Sequence, residues 1–109
     1  MRAFDMDELR KQCDPGRAAS AEFFRVPAMS LSVYCIPAGA PDPQQPHTED
    51  EAYYVVRGRA VFRAGNDERA VGPGTVLFVE AGVAHRFQSI AEDLVLLVVF
   101  APAKGSRAA

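Results

Sequence analysis

Tryptophan is absent from this 109-residue chain, and cysteine and histidine occur only twice each. Cys13 and Cys35 have no Cys-x-x-Cys spacing, which excludes a disulfide-dense scaffold. One bridge between them is open, but free thiols in a reducing cytosol are the expectation. Neither sign of charge dominates: 12 Lys and Arg against 14 Asp and Glu leave a formal −2. Without a basic stripe there is no electrostatic footprint for nucleic acid. Arg57, Arg59, Arg63 and Arg69 cluster, but Asp67 and Glu68 interrupt them, so the group reads as a solvated strand face and turn. Long hydrophobic runs are missing too. The longest, Leu94 to Ala101, is far shorter than a bilayer span, and the charged segment Met1 to Lys11 lacks a signal-peptide core. The chain is expected to be soluble and cytoplasmic, with neither membrane nor nucleic acid as a partner.

What is present suits one domain. Hydrophobic residues make up 49% and charged residues 24%, enough for a single core and too little chain for two. Phe4 to Cys13 can form a short helix capped by Asp5 and stopped at Pro15-Gly16. From residue 21 the pattern becomes β: Glu22 to Val26, then Met29 to Ile36 with Leu31, Val33, Tyr34 and Ile36. Pro37 to Pro46 holds four prolines and a glycine in ten residues, a stiff loop that ends pairing. Strands follow at Ala52–Arg57, Ala60–Ala64, Arg69–Val71, Thr75–Val79, Ala84–Ser89 and Leu94–Phe100, separated by Gly58, Gly65-Asn66-Asp67, Gly72-Pro73-Gly74 and Ala81-Gly82. Short strands joined by Gly/Pro turns, with no helices between, predict an antiparallel sandwich or barrel. The organisation expected is a helical or extended segment over 1–20, a β-barrel over 21–103 and a flexible polar tail over 104–109. The last strand is apolar on both faces, so its outer face needs cover. A second copy of the chain, giving a homodimer, or the N-terminal helix would supply it.

The chemistry concentrates in Gln45-Pro46-His47-Thr48-Glu49-Asp50-Glu51, just before an apolar strand; His85 opens another. An amide, two imidazoles and a carboxylate converging on one point form a first-row metal site. Gln45, His47, Glu49, Glu51, Tyr53 and Val55 share one parity, so in an extended chain they face one side. Glu49 is therefore the rival of Glu51 as carboxylate ligand, and the acidic run also reads as a solvated loop. Tyr53, Tyr54, Phe62, Phe78 and Phe87 read as barrel core rather than as a substrate platform. No serine sits in a strained elbow, neither cysteine pairs with a histidine as a nucleophile, and no helix follows Gly72-Pro73-Gly74 to hold phosphate.

Two spaced motifs resemble those of small single-domain cupins. Gly39, five residues, Gln45, Pro46, His47, three residues, Glu51, six residues and Gly58 follow the first cupin motif, with Gln45 in place of its first histidine. Gly74, five residues, Glu80, Ala81, Gly82, two residues, His85, three residues and Ser89 follow the second, with Glu80 for proline and Ser89 for asparagine. Fifteen residues separate Gly58 from Gly74, as in small cupins, and the motifs cover about half the chain. The resemblance implies an all-β jelly-roll barrel (a double-stranded β-helix) with a short N-terminal helix. It also implies a divalent metal on Gln45, His47, Glu51 and His85. A glutamine oxygen is a harder, weaker donor than imidazole, which favours iron or manganese over zinc, nickel or cobalt. It either ligates or orients a water or substrate.

A small metal-dependent, dioxygenase-type enzyme acting on a compact organic substrate is the first functional expectation. Isomerase or lyase chemistry would use the same site. A non-catalytic binding module for a small molecule or metal is the second, and a structural barrel that has lost its metal the third.

Overall fold

The computed structural model describes residues 1–13 and 16–108, and the expected helix stop at Pro15 lies outside them. A short helix α1 (Met6–Leu9) runs into a 3-10 turn (Arg10–Gln12), and six strands follow. These are β1 (Ala19–Val26), β2 (Met29–Ile36), β3 (Asp50–Ala64), β4 (Asp67–Val71), β5 (Val76–Val79) and β6 (His85–Ala101). Asp5 holds the N-cap position of α1 with extended backbone, but its side chain makes no capping bond, contrary to expectation. Its carbonyl accepts from the Glu8 and Leu9 N–H groups instead. No helix among the described residues is long and apolar enough to cross a membrane.

All pairing is antiparallel, in the order β1-β2-β6-β3-β4 with β5 added to β3. Two strands organise the whole. Where separate strands were expected on either side of Gly58, and again between Ser89 and Leu94, the chain runs on as 15-residue β3 and 17-residue β6. The first half of β3 (Glu51–Tyr54) lies between β5 and Phe100–Leu97 of β6. Its second half (Val61–Ala64) lies between β4 and Gln88–His85 of β6. The bend divides one ladder into two facing half-sheets, which is how a jelly roll forms from few strands.

Glycine 58 does not end the strand; it kinks it. Its φ is +93°, and the β3–β6 register shifts on both sides of it. The kink also inverts parity. Glu51, Tyr53 and Val55 face inward before it, Ala60 and Phe62 after it. Ser89 does the same for β6 at φ +50°, with His85 and Phe87 inward before it and Ile90, Leu94, Leu96, Val98 and Phe100 after it. A side-chain period of two carries a strict in–out alternation only until a bulge adds a residue.

The inner faces meet in a core that includes Ile36, Tyr53, Val55, Phe62, Phe87, Leu94 and Leu96. Tyr54 and Phe78 correct the expectation of an all-buried aromatic set: they are 43% and 64% exposed. Outside the barrel, Leu9, Val33 and Val95 form a second cluster with Met6, Cys13 and Phe23. The N-terminal helix thus covers part of the outer face of β2 and β6, one of the two covers expected. Cys13 and Cys35 are joined in a disulfide, 22 residues apart, so the expectation of free thiols does not hold. The helix places Cys13 over β2 where Cys35 points outward, a proximity that sequence separation does not disclose.

Candidate metal centre

Glu51, the second residue of β3, points into the barrel and is 2% exposed. His85, the first residue of β6, is 7% exposed and enters from the opposite half-sheet. His47 comes from the loop before β3, which is tied down where its carbonyl accepts the Gly82 N–H at 2.8 Å. One donor atom from each of the three lies within 4.8 Å of the other two. Glu51 Oε1 is 2.9 Å from His85 Nε2 and 3.9 Å from His47 Nε2. Glu51 Oε1 has no aligned hydrogen bond, and its one close partner is His85 Nε2, an ion pair when that ring is protonated. Two imidazoles and a carboxylate aimed at one point, with that oxygen at their centre, fit a divalent cation.

The surroundings set each protonation state. The Val83 carbonyl lies 2.8 Å from His85 Nδ1 and can only accept, so Nδ1 carries the proton and Nε2 faces Glu51. Burial alone would depress His85, but the Glu51 carboxylate, the Val83 carbonyl and the charge on Asp42 outweigh it and raise its pKa. His47 goes the other way. Burial lowers it, the charges of Lys104 and His85 add to that, and Glu51 opposes without prevailing. A neutral His47 keeps a lone pair free for a ligand role.

A chain of hydrogen bonds that sequence patterning missed backs this cluster. Tyr53 donates its O–H to Gln44 Oε1 at 2.6 Å and lies 3.0 Å from His85 Nε2. Gln44 Nε2 donates to Asp42 Oδ2 at 2.7 Å. Asp42 also accepts from the Tyr34 hydroxyl at 2.5 Å and the Phe87 N–H at 2.9 Å. Burial, first of all, drives both phenols far upward, so they stay protonated as donors. The proline-rich loop is therefore no mere spacer: Asp42 clamps it to both half-sheets. The only available signal was a polar Asp-x-Gln inside a stiff loop, which composition alone reads as solvent-facing.

Each of the three consecutive acids has a different partner. Glu51 enters the site, and Asp50 Oδ1 accepts the Ala81 N–H at 2.9 Å. Glu49, the rival ligand, is buried but engaged elsewhere: it accepts the Thr48 hydroxyl, the Gly105 N–H at 2.7 Å and the Arg107 N–H at 3.0 Å. Burial pushes its carboxyl up, but those three bonds outweigh it and lower the pKa. A depressed pKa contributes stability above the unfolded carboxyl value, and that stability is lost as pH falls through the folded one. Glu49→Gln is expected to lower unfolding stability at pH 7 by about 2 kcal/mol, since its amide N–H₂ would face N–H donors. Urea titrations at pH 7 and pH 3 check this, and the wild-type advantage should shrink at the lower pH.

Gln45 is exposed and lines two cavities, one beside His47 and Glu51 and another beside His85. The motif departures Glu80 and Ser89 are exposed and lie outside the cluster. At Ser89 the left-handed backbone accounts for asparagine in the motif, because asparagine tolerates that region better than most residues.

Comparison with known proteins gives a consistent pattern. Residues 32–100 match the family described as Cupin domain (Cupin_2). An uncharacterized protein of Streptomyces coelicolor, SCO3923, is 45% identical over 102 residues, covering 94% of this chain and 97% of that protein. The crystal structure of TT1209 from Thermus thermophilus is 30% identical, covering 94% of this chain and 99% of that one, with a TM-score of 0.82. The DMSP lyase DddQ from Ruegeria pomeroyi is 26% identical over 78% of this chain and 47% of its own, with a TM-score of 0.72.

Proposed function

Since this chain belongs to the cupin domain family, we propose that it binds one divalent metal through His47, Glu51 and His85 and works as a small metal-dependent enzyme. Gln45, at the rim, completes or tunes the site. The observation that carries this reading is the convergence of His47, Glu51 and His85, one donor atom from each within 4.8 Å of the others. Iron or manganese is favoured by the hard oxygen donors, with zinc, nickel or cobalt as alternatives. Bound there, the metal would supply Lewis-acid polarisation of a compact organic substrate and, with iron or manganese, dioxygenase-type redox chemistry.

The chain's own residues do the rest. Val98 and Phe100 wall a cavity of about 350 Å³ beside the cluster and limit water at the reacting groups. Tyr34 and Gln44 line the same cavity and present polar atoms to a substrate. Tyr53, held by Gln44, fixes the approach to His85 Nε2. Lyase chemistry is the second reading, favoured by the likeness to a DMSP lyase. A non-catalytic binding module is the third. Metal content per chain on untagged protein, followed by oxygen uptake with the metal-loaded form, tests the assignment. About one iron or manganese with oxygen consumption supports the first reading. Metal without oxygen consumption favours the lyase or binding readings, and no metal even after reconstitution defeats both enzyme readings and leaves a small-molecule-binding or structural barrel.

The reading includes a homodimer. Two cross-strand rows, Val76-Tyr54-Leu97 and Phe78-Ala52-Val99, run side by side over the outer face of β5, β3 and β6. Val76 and Phe78 are 69% and 64% exposed, beyond the patch the helix covers. Phe78→Glu is expected to convert a dimer to a monomer in light scattering without changing metal content. A wild-type monomer at micromolar concentration removes this part of the reading.

A further inference from the structure

The cavity beside His47 and Glu51 has a single lysine in its lining, Lys104. Its side chain is exposed, and a lysine near a chain end is ordinarily a solvated charge. The backbone here is held on several sides. The Lys104 N–H donates to the buried Ser30 Oγ at 2.9 Å, and its carbonyl accepts from Arg25 Nη2 at 2.6 Å. The next N–H groups along, at Gly105 and Arg107, both donate to the buried Glu49. Residues from β1, β2 and the loop before β3 thus fix this turn against the barrel mouth. The outcome is a placed ammonium: Nζ stands 5.5 Å from the centroid of the Phe100 ring. That same ring makes an edge contact with His47 at 4.9 Å. A cation over a ring face is attracted to it, so one aromatic side chain locates both the ammonium and a candidate ligand.

The charge balance of the cavity then points one way. Glu51 is the only carboxylate among the lining residues. Two further carboxylates lie behind the lining and face away from the cavity: Asp42 accepts from Tyr34, Gln44 and the Phe87 N–H, and Glu49 from the Gly105 and Arg107 N–H groups. Of the groups that face the cavity, a divalent ion on Glu51 leaves one positive charge open to a ligand and Lys104 adds a second. A neutral substrate gains nothing from Lys104, and a cationic one is repelled by it. We propose that the cavity takes a small carboxylic acid, and that Lys104 is the specificity-determining residue that pairs with its carboxylate. This rests on the metal-site reading for the second charge, and Lys104 is assigned substrate selection only.

Lactate and lactamide are a suitable probe pair, matched in shape and differing by one charge. Each is titrated into cobalt(II)-loaded wild type, Lys104→Met and Lys104→Arg, reading the visible cobalt absorption. Lys104→Met should weaken lactate about tenfold, the scale of one charge-assisted hydrogen bond, and leave lactamide unchanged. Lys104→Arg, which keeps the charge, should retain the preference for the acid. Lys104→Met binding lactate as wild type does, or losing both probes equally, overturns the proposal. The melting-temperature shift of the metal-free protein separates the two claims. If cobalt is not taken up, the metal reading fails by itself, and lactate is still expected to raise the melting temperature more than lactamide. That difference vanishing in Lys104→Met then upholds the role of Lys104, and its persistence overturns it.

Discussion

His47→Ala is expected to strip the metal from this protein while leaving it folded. His47 lies in the loop before β3, and truncation keeps the bond from the Gly82 N–H to its carbonyl, so the main loss in packing is the edge contact with Phe100. What it removes is a donor from a set of three whose members lie within 4.8 Å. Losing a ligand weakens binding by at least about 100-fold, the upper end of what even indirect supporting groups contribute. Metal measured per chain after dialysis should fall to under about a tenth of wild type, with an unchanged far-ultraviolet circular dichroism spectrum. Gln45→Ala is the informative partner: retention of most metal assigns Gln45 to tuning, and a matching loss makes it a ligand. Unfolding of His47→Ala would mean that the residue, or its metal, is structural. Full metal retention in a folded His47→Ala protein would sink the assignment.

Gly58→Ala is expected to be strongly destabilising, more so than alanine at glycines of similar backbone with open space around them. A Cβ there would stand 2.4 Å from the Asp93 carbonyl oxygen and 2.8 Å from Leu94 Cα, both backbone atoms of the paired strand. The residue also sits at φ +93°. Left-handed backbone costs a non-glycine residue about 1–2 kcal/mol, and forcing atoms into packed space about 1–3 kcal/mol more. A loss of about 3 kcal/mol should lower the melting temperature by on the order of 15 °C. Gly74→Ala separates the two causes. Gly74 has nearly the same φ, +92°, but nothing within 4 Å of its Cβ position. It should lose only about 1 kcal/mol. Equal losses at the two glycines would show that contact with β6 is not what requires Gly58.

The sequence alone determined the class of fold and the members of the cluster. Alternating apolar residues with Gly/Pro turns specify antiparallel strands, because a strand's period of two and a turn's backbone needs are local properties. Of the four candidates Gln45, His47, Glu51 and His85, the motif spacing singled out three that the closed barrel brings within 4.8 Å, since residue type and interval survive any arrangement in space. Tertiary structure decided what local properties do not contain. Gly58 reads as a turn and Ser89 as a strand's last residue, yet both act as kinks, because the partner strand continues past them and its hydrogen bonds outweigh the local signal. Glu49 and Glu51 share parity, and only the turn of the closing segment at Gly105 and Arg107 assigns them different partners. Cys13 meets Cys35 because the helix packs over β2. Lys104 is a polar residue near the chain end until Ser30, Arg25 and Glu49 place it at a cavity mouth. In each case the deciding contact joins residues far apart in the chain, and such contacts exist only once the barrel has closed.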